Sequence, residues 1–223
     1  MKRFKTIIFA VFFALSLTAC GNKNGGASGG ENLNSNNRNN PYSSAKAGDI
    51  IQFGGLDWVV LNVQDGKALI LTDSVIENRA YHSKQTDITW ENCDLRQYLN
   101  GAFYDNTFSP EEKKLIIETT VVNSDNPEYG TPGGNGTTDK VFLLSIDEVD
   151  EYMGDNVHVN IKNKRIAKHL VTEQASWWWL RSPGGDGDGA ASVLGGGHVG
   201  VIGFIVVNVE NGVRPALLLN LQS

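Results

Sequence analysis

From residue 48 onward, β-branched and aromatic residues come in short runs separated by polar or glycine punctuation. Residues 49–53, 57–63 and 67–72 read as strands, with Gln64-Asp65-Gly66 turning the second into the third, which predicts a hairpin or three-stranded meander. Trp58-Val59-Val60-Leu61 is apolar throughout, as a strand covered on both faces would be. After Thr89 the spacing of Leu95, Tyr98 and Leu99 predicts a helix of about a dozen residues with one buried side. Ser109-Pro110-Glu111-Glu112 and Ser145-Ile146-Asp147-Glu148 each place Ser at an N-cap and Glu three positions on, a capping box that opens a short helix. Strands are expected between them at 119–122 and 141–144. Residues 123–139 form a long loop rich in Asn, Gly, Pro and Thr, of the kind that carries function or stays disordered. Residues 154–174 are polar and fit no period. Residues 190–194 and 199–207 read as strands around Gly195-Gly196-Gly197, and Asn211-Gly212 turns into a last strand at 213–219.

Three of the five tryptophans stand in a row, in Trp177-Trp178-Trp179-Leu180-Arg181-Ser182-Pro183-Gly184-Gly185. Side chains alternate along a strand, so Trp177, Trp179 and Arg181 share one face while Trp178, Leu180 and Ser182 share the other. At least one face is core. Either all three indoles are structural, or one face is an aromatic platform beside the glycine-rich loop that follows, where a ligand stacks.

The N-terminus changes the address. Lys2, Arg3 and Lys5 precede an apolar run at 7–17, too short to cross a bilayer comfortably, and then Leu17-Thr18-Ala19-Cys20. That ending resembles the bacterial lipobox, which implies a signal peptide at 1–19 and a lipid-modified Cys20 as the mature N-terminus, held at the outer face of the cell membrane. Residues 20–46 are Asn, Gly and Ser with few apolar side chains, a flexible linker, and 47–223 is long enough for a single domain. The chain carries −6 overall, and removing Lys2, Arg3 and Lys5 leaves −9. Residues 48–223 hold 13 Lys and Arg against 24 Asp and Glu. Binding to phosphate backbones or to an anionic membrane surface needs the opposite balance, which makes nucleic acid a poor partner.

Chemistry is sparse. With Cys20 lipid-bound, Cys93 is the one thiol left, so no internal disulfide forms, and its place in the predicted helix makes it a buried thiol. His82, His158, His169 and His198 are scattered singly. Asp186-Gly187-Asp188-Gly189 starts like a calcium loop, but the twelfth position is Gly197 and not the bidentate Glu an EF-hand needs. Asn123, Asp125, Asn126 and Asp139 are either turn residues or oxygen ligands for calcium, the one candidate cofactor; none is required. Arg181 and Arg214 either reach backbone carbonyls and a buried carboxylate, or line a ligand cleft with Trp177, Trp179, Asp186 and Asp188.

Trp178-Trp179-Leu180-Arg181-Ser182-Pro183-Gly184, Ala190-Ala191-Ser192-Val193 and Gly212-Val213-Arg214-Pro215-Ala216-Leu217 together resemble the C-terminal signature of a family of uncharacterised domains in lipoproteins and surface proteins of Gram-positive bacteria. Gly54-Gly55-Leu56-Asp57-Trp58-Val59-Val60-Leu61, Asp94-Leu95-Arg96-Gln97-Tyr98-Leu99-Asn100 and the segment from Tyr129 through Ser145 resemble its other blocks, so the resemblance spans nearly all of 48–221. That family looks like a branch of the C-type-lectin-like superfamily, which includes the formylglycine-generating enzymes. The resemblance implies an α+β domain whose termini meet in one antiparallel sheet, with a second small sheet, two or three short helices and long loops. The enzyme branch relies on a pair of active-site cysteines, which a chain left with Cys93 alone does not offer. The expectation is a non-catalytic binding module for a carbohydrate, a cell-wall fragment or a protein. The alternatives are a metal-assisted hydrolase using loop carboxylates and a structural surface-assembly protein.

Overall fold

The computed structural model describes residues 40–222. The segment expected to be a signal peptide, Cys20, and the expected linker up to residue 39 lie outside the described residues. Folded structure begins before the expected boundary at 47. Asn40 is buried and donates from Nδ2 to the Asn220 carbonyl at 2.8 Å. The Tyr42 hydroxyl donates to the Gln52 carbonyl, with its ring edge-on to Phe53.

The chain is α+β with several antiparallel sheets. The predicted meander is β1 (Ile50–Phe53), β2 (Leu56–Gln64) and β3 (Lys67–Thr72), followed by a short β4 (Glu77–Asn78). The expected single helix is broken into a 3₁₀ turn at Trp90–Asn92, α1 (Asp94–Tyr98), a π turn at Leu99–Phe103 and α2 (Tyr104–Thr107). Both capping boxes form, opening α3 (Pro110–Lys113) and, after the strands described next, α4 (Ile146–Met153). Each box contributes about 1 kcal/mol by satisfying orphan backbone N–H groups. Between them lie β5 (Ile116–Ile117), β6 (Thr119–Val121) and β7 (Thr137–Asp139), the last inside the expected loop. The strand expected at 141–144 reduces to one bridge, Phe142 to Ala216. Residues 154–174 resolve into α5 (Val159–Lys162), a 3₁₀ turn at Asn163–Arg165 and β8 (Ala167–Lys168). There follow β9 (Ala175–Ser176), β10 (Trp178–Pro183), β11 (Gly189–Val193), β12 (Val199–Ile205), β13 (Gly212–Val213) and β14 (Ala216–Asn220).

The first sheet runs β1-β2-β3-β14-β5, every pair antiparallel, so the last strand lies beside the third. The second runs β12-β11-β10-β13-β4, with β10 and β13 parallel. Pairs β6-β7 and β8-β9 stand alone. Strand β10 is the centre of the second sheet and is buried along its whole length. Both faces of the tryptophan strand are therefore core, and only Trp177, one residue before the strand, is exposed.

Strand β12 must bulge to stay in register: Ser192 faces Gly200 but Ala190 faces Phe204. The bulge rests on Gly203, at φ 69° with the Ala190 carbonyl oxygen 2.0 Å from where a Cβ would sit. No other residue fits there. Every member of the hydrophobic core lies between Tyr42 and Leu221, so residues 40–222 carry the whole buried core of the described structure.

Candidate functional site

Four of the five tryptophans are fixed by their indole N–H. Trp58 donates to the Phe53 carbonyl at 2.8 Å and Trp90 to Asp139 Oδ2 at 2.9 Å. Trp178 donates to the Arg165 carbonyl at 3.1 Å and Trp179 to the Arg79 carbonyl at 2.8 Å. Trp179 is fully buried and edge-on to Tyr81, so it cannot present a face to a ligand as the platform reading required. Trp177 remains 44 % exposed, stacked on Phe204 at 4.8 Å between ring centroids.

The two arginines proposed for a cleft are interior. Arg181 forms a two-pronged pair with Glu148, with Nη2 to Oε1 at 2.8 Å and Nη1 to Oε2. It also donates to the carbonyls of Leu143 at 2.7 Å and Val122 at 3.0 Å. Glu148 is also the capping-box acid that accepts from Ser145 N, so one carboxylate ties helix α4 to strand β10. Arg214 is enclosed over the Trp178 ring and donates to the carbonyls of Thr72, Lys164 and Asp73 at 2.7, 2.6 and 3.3 Å. Burial lowers its pKa to about 9, against the pull of nearby Asp73, which still leaves a cation at neutral pH. A guanidinium deprived of water needs this density of acceptors. Neither arginine reaches a ligand surface.

Cys93 is buried beside Tyr81, and burial pushes its thiol up to about 12. It accepts from Arg96 N at 3.4 Å as the N-cap of α1, a structural position. Asp139 is equally interior: its oxygens take Arg96 Nε at 2.6 Å, Trp90 Nε1 at 2.9 Å and Thr137 Oγ1 at 2.7 Å. The other proposed calcium ligands are engaged by their own loop. Asn123 Nδ2 donates to the Asn135 carbonyl, and Asp125 Oδ1 accepts from Gly133 N. Asn126 Oδ1 accepts from Glu128 N and Tyr129 N, an Asx turn. Among the described residues no three His, Cys, Asp or Glu side chains are grouped to hold a metal ion.

What these loop residues do is join two segments. Asn126 Nδ2 lies 2.9, 3.0 and 2.8 Å from the carbonyls of Pro183, Gly184 and Val201. Thr131 Oγ1 donates to the Gly185 carbonyl at 2.7 Å, and Gly185 N donates to the Ile202 carbonyl at 2.9 Å. The long loop is thereby laid on the glycine-rich turn after β10. Tyr129, 52 % exposed, lies over Gly185, with its Cγ 3.6 Å from where a Cβ would be and Ile202 Cγ1 beside it at 3.2 Å. Asp186 projects into solvent, Asp188 Oδ2 accepts from Gln85 Nε2 at 3.0 Å, and Asp87 approaches Gly187. One surface therefore combines an exposed aromatic ring, an aliphatic neighbour and three carboxylates. Of these residues sequence reasoning named Asp186 and Asp188; Tyr129, Ile202, Asp87 and Gln85 were missed, and the signal for Tyr129 was an aromatic residue isolated in a turn-rich loop.

A separate open groove of about 340 Å³ is lined by Leu56, Ile76, Glu77, Tyr98, Phe103 and Leu170, among others. Arg79 stacks on the Tyr98 ring at 3.8 Å and pairs with Glu77, which closes its polar side upon itself. Burial, with Glu77 adding to it, raises the Tyr98 hydroxyl to about 12.

Comparison with curated proteins and with solved structures finds no match. The sequence profile of a domain of unknown function, DUF6273, matches residues 65–221, a span that takes in strands β3 to β14 and both candidate segments, and the chain therefore belongs to the DUF6273 family.

Proposed function

We propose that this protein is a lipid-anchored surface module that binds a carbohydrate, without catalysis, on the face made by Tyr129, Gly185, Asp186, Asp188 and Ile202. The observation that carries the reading is the seating of the long loop on the glycine-rich turn, which sets an exposed phenol ring over Gly185, next in sequence to exposed Asp186. A pyranose has an apolar C–H face that stacks on an aromatic ring, and hydroxyl donors at its edge that carboxylates accept. The absence of a side chain at Gly185 and Gly187 lets Tyr129 and Asp87 lie close against the turn. The reading extends to a C-type-lectin-like architecture, supported by the last strand lying beside the third in one antiparallel sheet and by the presence of a second five-stranded sheet. It also extends to an anchor at Cys20, supported by the lipobox-like Leu17-Thr18-Ala19-Cys20.

Thermal melts of residues 40–223 against neutral sugars, amino sugars and peptidoglycan fragments test it. A ligand at about a hundred times its Kd adds about 2.7 kcal/mol. At about 2–4 °C per kcal/mol for a chain of this size, that is a rise of roughly 5–11 °C. A rise that Y129A removes supports the assignment, and no rise with any saccharide refutes it. Replacing Cys20 by Ala should move the full chain out of the membrane fraction; persistence there would refute the anchor.

A further inference from the structure

Residues 157–177 reverse the character of the domain around them. They hold four cations, Lys162, Lys164, Arg165 and Lys168, and one acid, Glu173, whereas the rest of residues 48–223 holds nine Lys and Arg against 23 Asp and Glu. Five of their apolar residues also face outward: Val159, Ile166, Leu170 and Trp177 are exposed, and Val171 is 79 % exposed.

The register of the β8-β9 pair explains the arrangement. Ala167 faces Ser176 and Lys168 faces Ala175, and one residue further this sets Ile166 across from Trp177. Ala167 is the buried member, so alternation puts Ile166, Lys168 and Leu170 on the outer face of one strand, with Ala175 and Trp177 on the outer face of the other. Val171 stands at the tip. The hairpin is held firmly: Leu170 N donates to the Val75 carbonyl at 2.8 Å and Val75 N to the Lys168 carbonyl at 2.9 Å. Glu173 N closes the tip onto the His169 carbonyl at 2.8 Å. Lys162 pairs with exposed Asp155 at 2.7 Å and Lys164 with Asp73 at 2.5 Å. Among the described residues Arg165 and Lys168 have no carboxylate within ion-pairing distance; Lys168 is exposed, and Arg165 is half-buried with its Nε enclosed.

We propose that this hairpin face docks on an anionic phospholipid bilayer, with Leu170 and Val171 entering the acyl boundary, Trp177 at headgroup depth, and Arg165 and Lys168 at the lipid phosphates. The chemistry favours a bilayer for two reasons. Aliphatic side chains at a rigid tip, flanked by cations and an indole, match the layered polarity of a membrane interface. The acidic remainder of the domain is repelled by anionic lipid, so attraction is confined to this face and orients the module. The proposal stands apart from the carbohydrate reading and from the lipid at Cys20, because residues 40–223 contain neither Cys20 nor any need for a sugar.

The test is co-sedimentation of residues 40–223 with vesicles of equal phosphatidylglycerol and phosphatidylcholine, and with pure phosphatidylcholine vesicles, at low and high salt. The wild type should pellet with the anionic vesicles only, and less so at high salt. A cation near an anionic surface is worth about fivefold in partitioning, so R165Q/K168Q should bind roughly 25-fold more weakly. L170S/V171S should abolish pelleting, and V171S alone, at a side chain 79 % exposed, should melt as the wild type does and still bind more weakly, whereas Leu170 borders the groove with Leu56 and Ile76. The blue shift of emission on binding should vanish in W177F. A wild type that stays in the supernatant with anionic vesicles, that pellets equally with neutral ones, or whose binding survives L170S/V171S overturns the proposal, and capture by a protein partner instead would be such a case.

Discussion

Replacing Arg181 by Met separates an interior brace from a ligand contact. The guanidinium is almost wholly buried, grips Glu148 with two nitrogens and donates to the carbonyls of Leu143 and Val122. Met fills most of the volume but leaves those carbonyls without donors and Glu148 without its partner. Breaking a buried pair on one side costs about 3–5 kcal/mol. At about 2–4 °C per kcal/mol the variant should melt roughly 6–20 °C below the wild type. E148A should be at least as damaging, since it strands an interior cation and also removes the capping-box acid of α4, worth about 1 kcal/mol more. The double variant R181M/E148M removes both charges, so its cost should fall well below the sum of the two single costs. The assay is a double-mutant cycle by urea denaturation with unchanged m-values. Singles costing under about 1 kcal/mol, or strictly additive effects, would refute the brace and return Arg181 to the surface.

The adjacent tryptophans should behave oppositely: W178A should cost about 3–5 kcal/mol in the same denaturation assay and W177A less than about 1, because only Trp178 is enclosed. Cys93 should resist a thiol reagent at pH 8 in the folded protein and react once denatured, since burial raises its pKa from 9.0 to about 12. The stability this contributes is complete below pH 9 and is lost as pH climbs from about 9 toward about 12, where the unfolded thiol ionises and the folded one does not; alkaline melts should show that loss in the wild type and less of it in C93A. G203A should destabilise sharply, a positive φ combining with the Ala190 carbonyl 2.0 Å from the new Cβ; a neutral result by thermal melt would mean the β12 bulge is misplaced.

The parts of the fold legible in the sequence were those specified locally. Three N-terminal strands, two capping boxes and the strands around Gly195-Gly196-Gly197 all rest on neighbouring residues, and each formed. Two-residue strands such as β5, β8 and β9 are too short to show a period, and only their pairing, β5 with the distant β14 and β8 with β9, defines them. The alternation rule placed Trp178 and Trp179 on opposite faces, but could not show that β10 is central and covered on both sides, because that follows from β11 and β13 beside it. Glu148 reads in the sequence as a helix cap, and its second role appears only when Arg181, 33 positions away, is brought against it. Asn126 likewise reads as an ordinary turn residue; that its amide carries the loop onto the glycine-rich turn depends on three carbonyls 57 to 75 positions off. The candidate face was half legible for that reason: its glycine-rich turn and Asp186 were visible, its aromatic ring was not.

The most direct test of the carbohydrate assignment is titration calorimetry of residues 40–223 with whichever saccharide raises the melting temperature most, on the wild type and on Y129A, D186N and W177A. The account predicts at least tenfold weaker binding for Y129A and D186N, about 1.4 kcal/mol or more each, with W177A unchanged. Binding that ignores Tyr129 and Asp186 but fails in W177A would contradict it and place the sugar on the hairpin face instead.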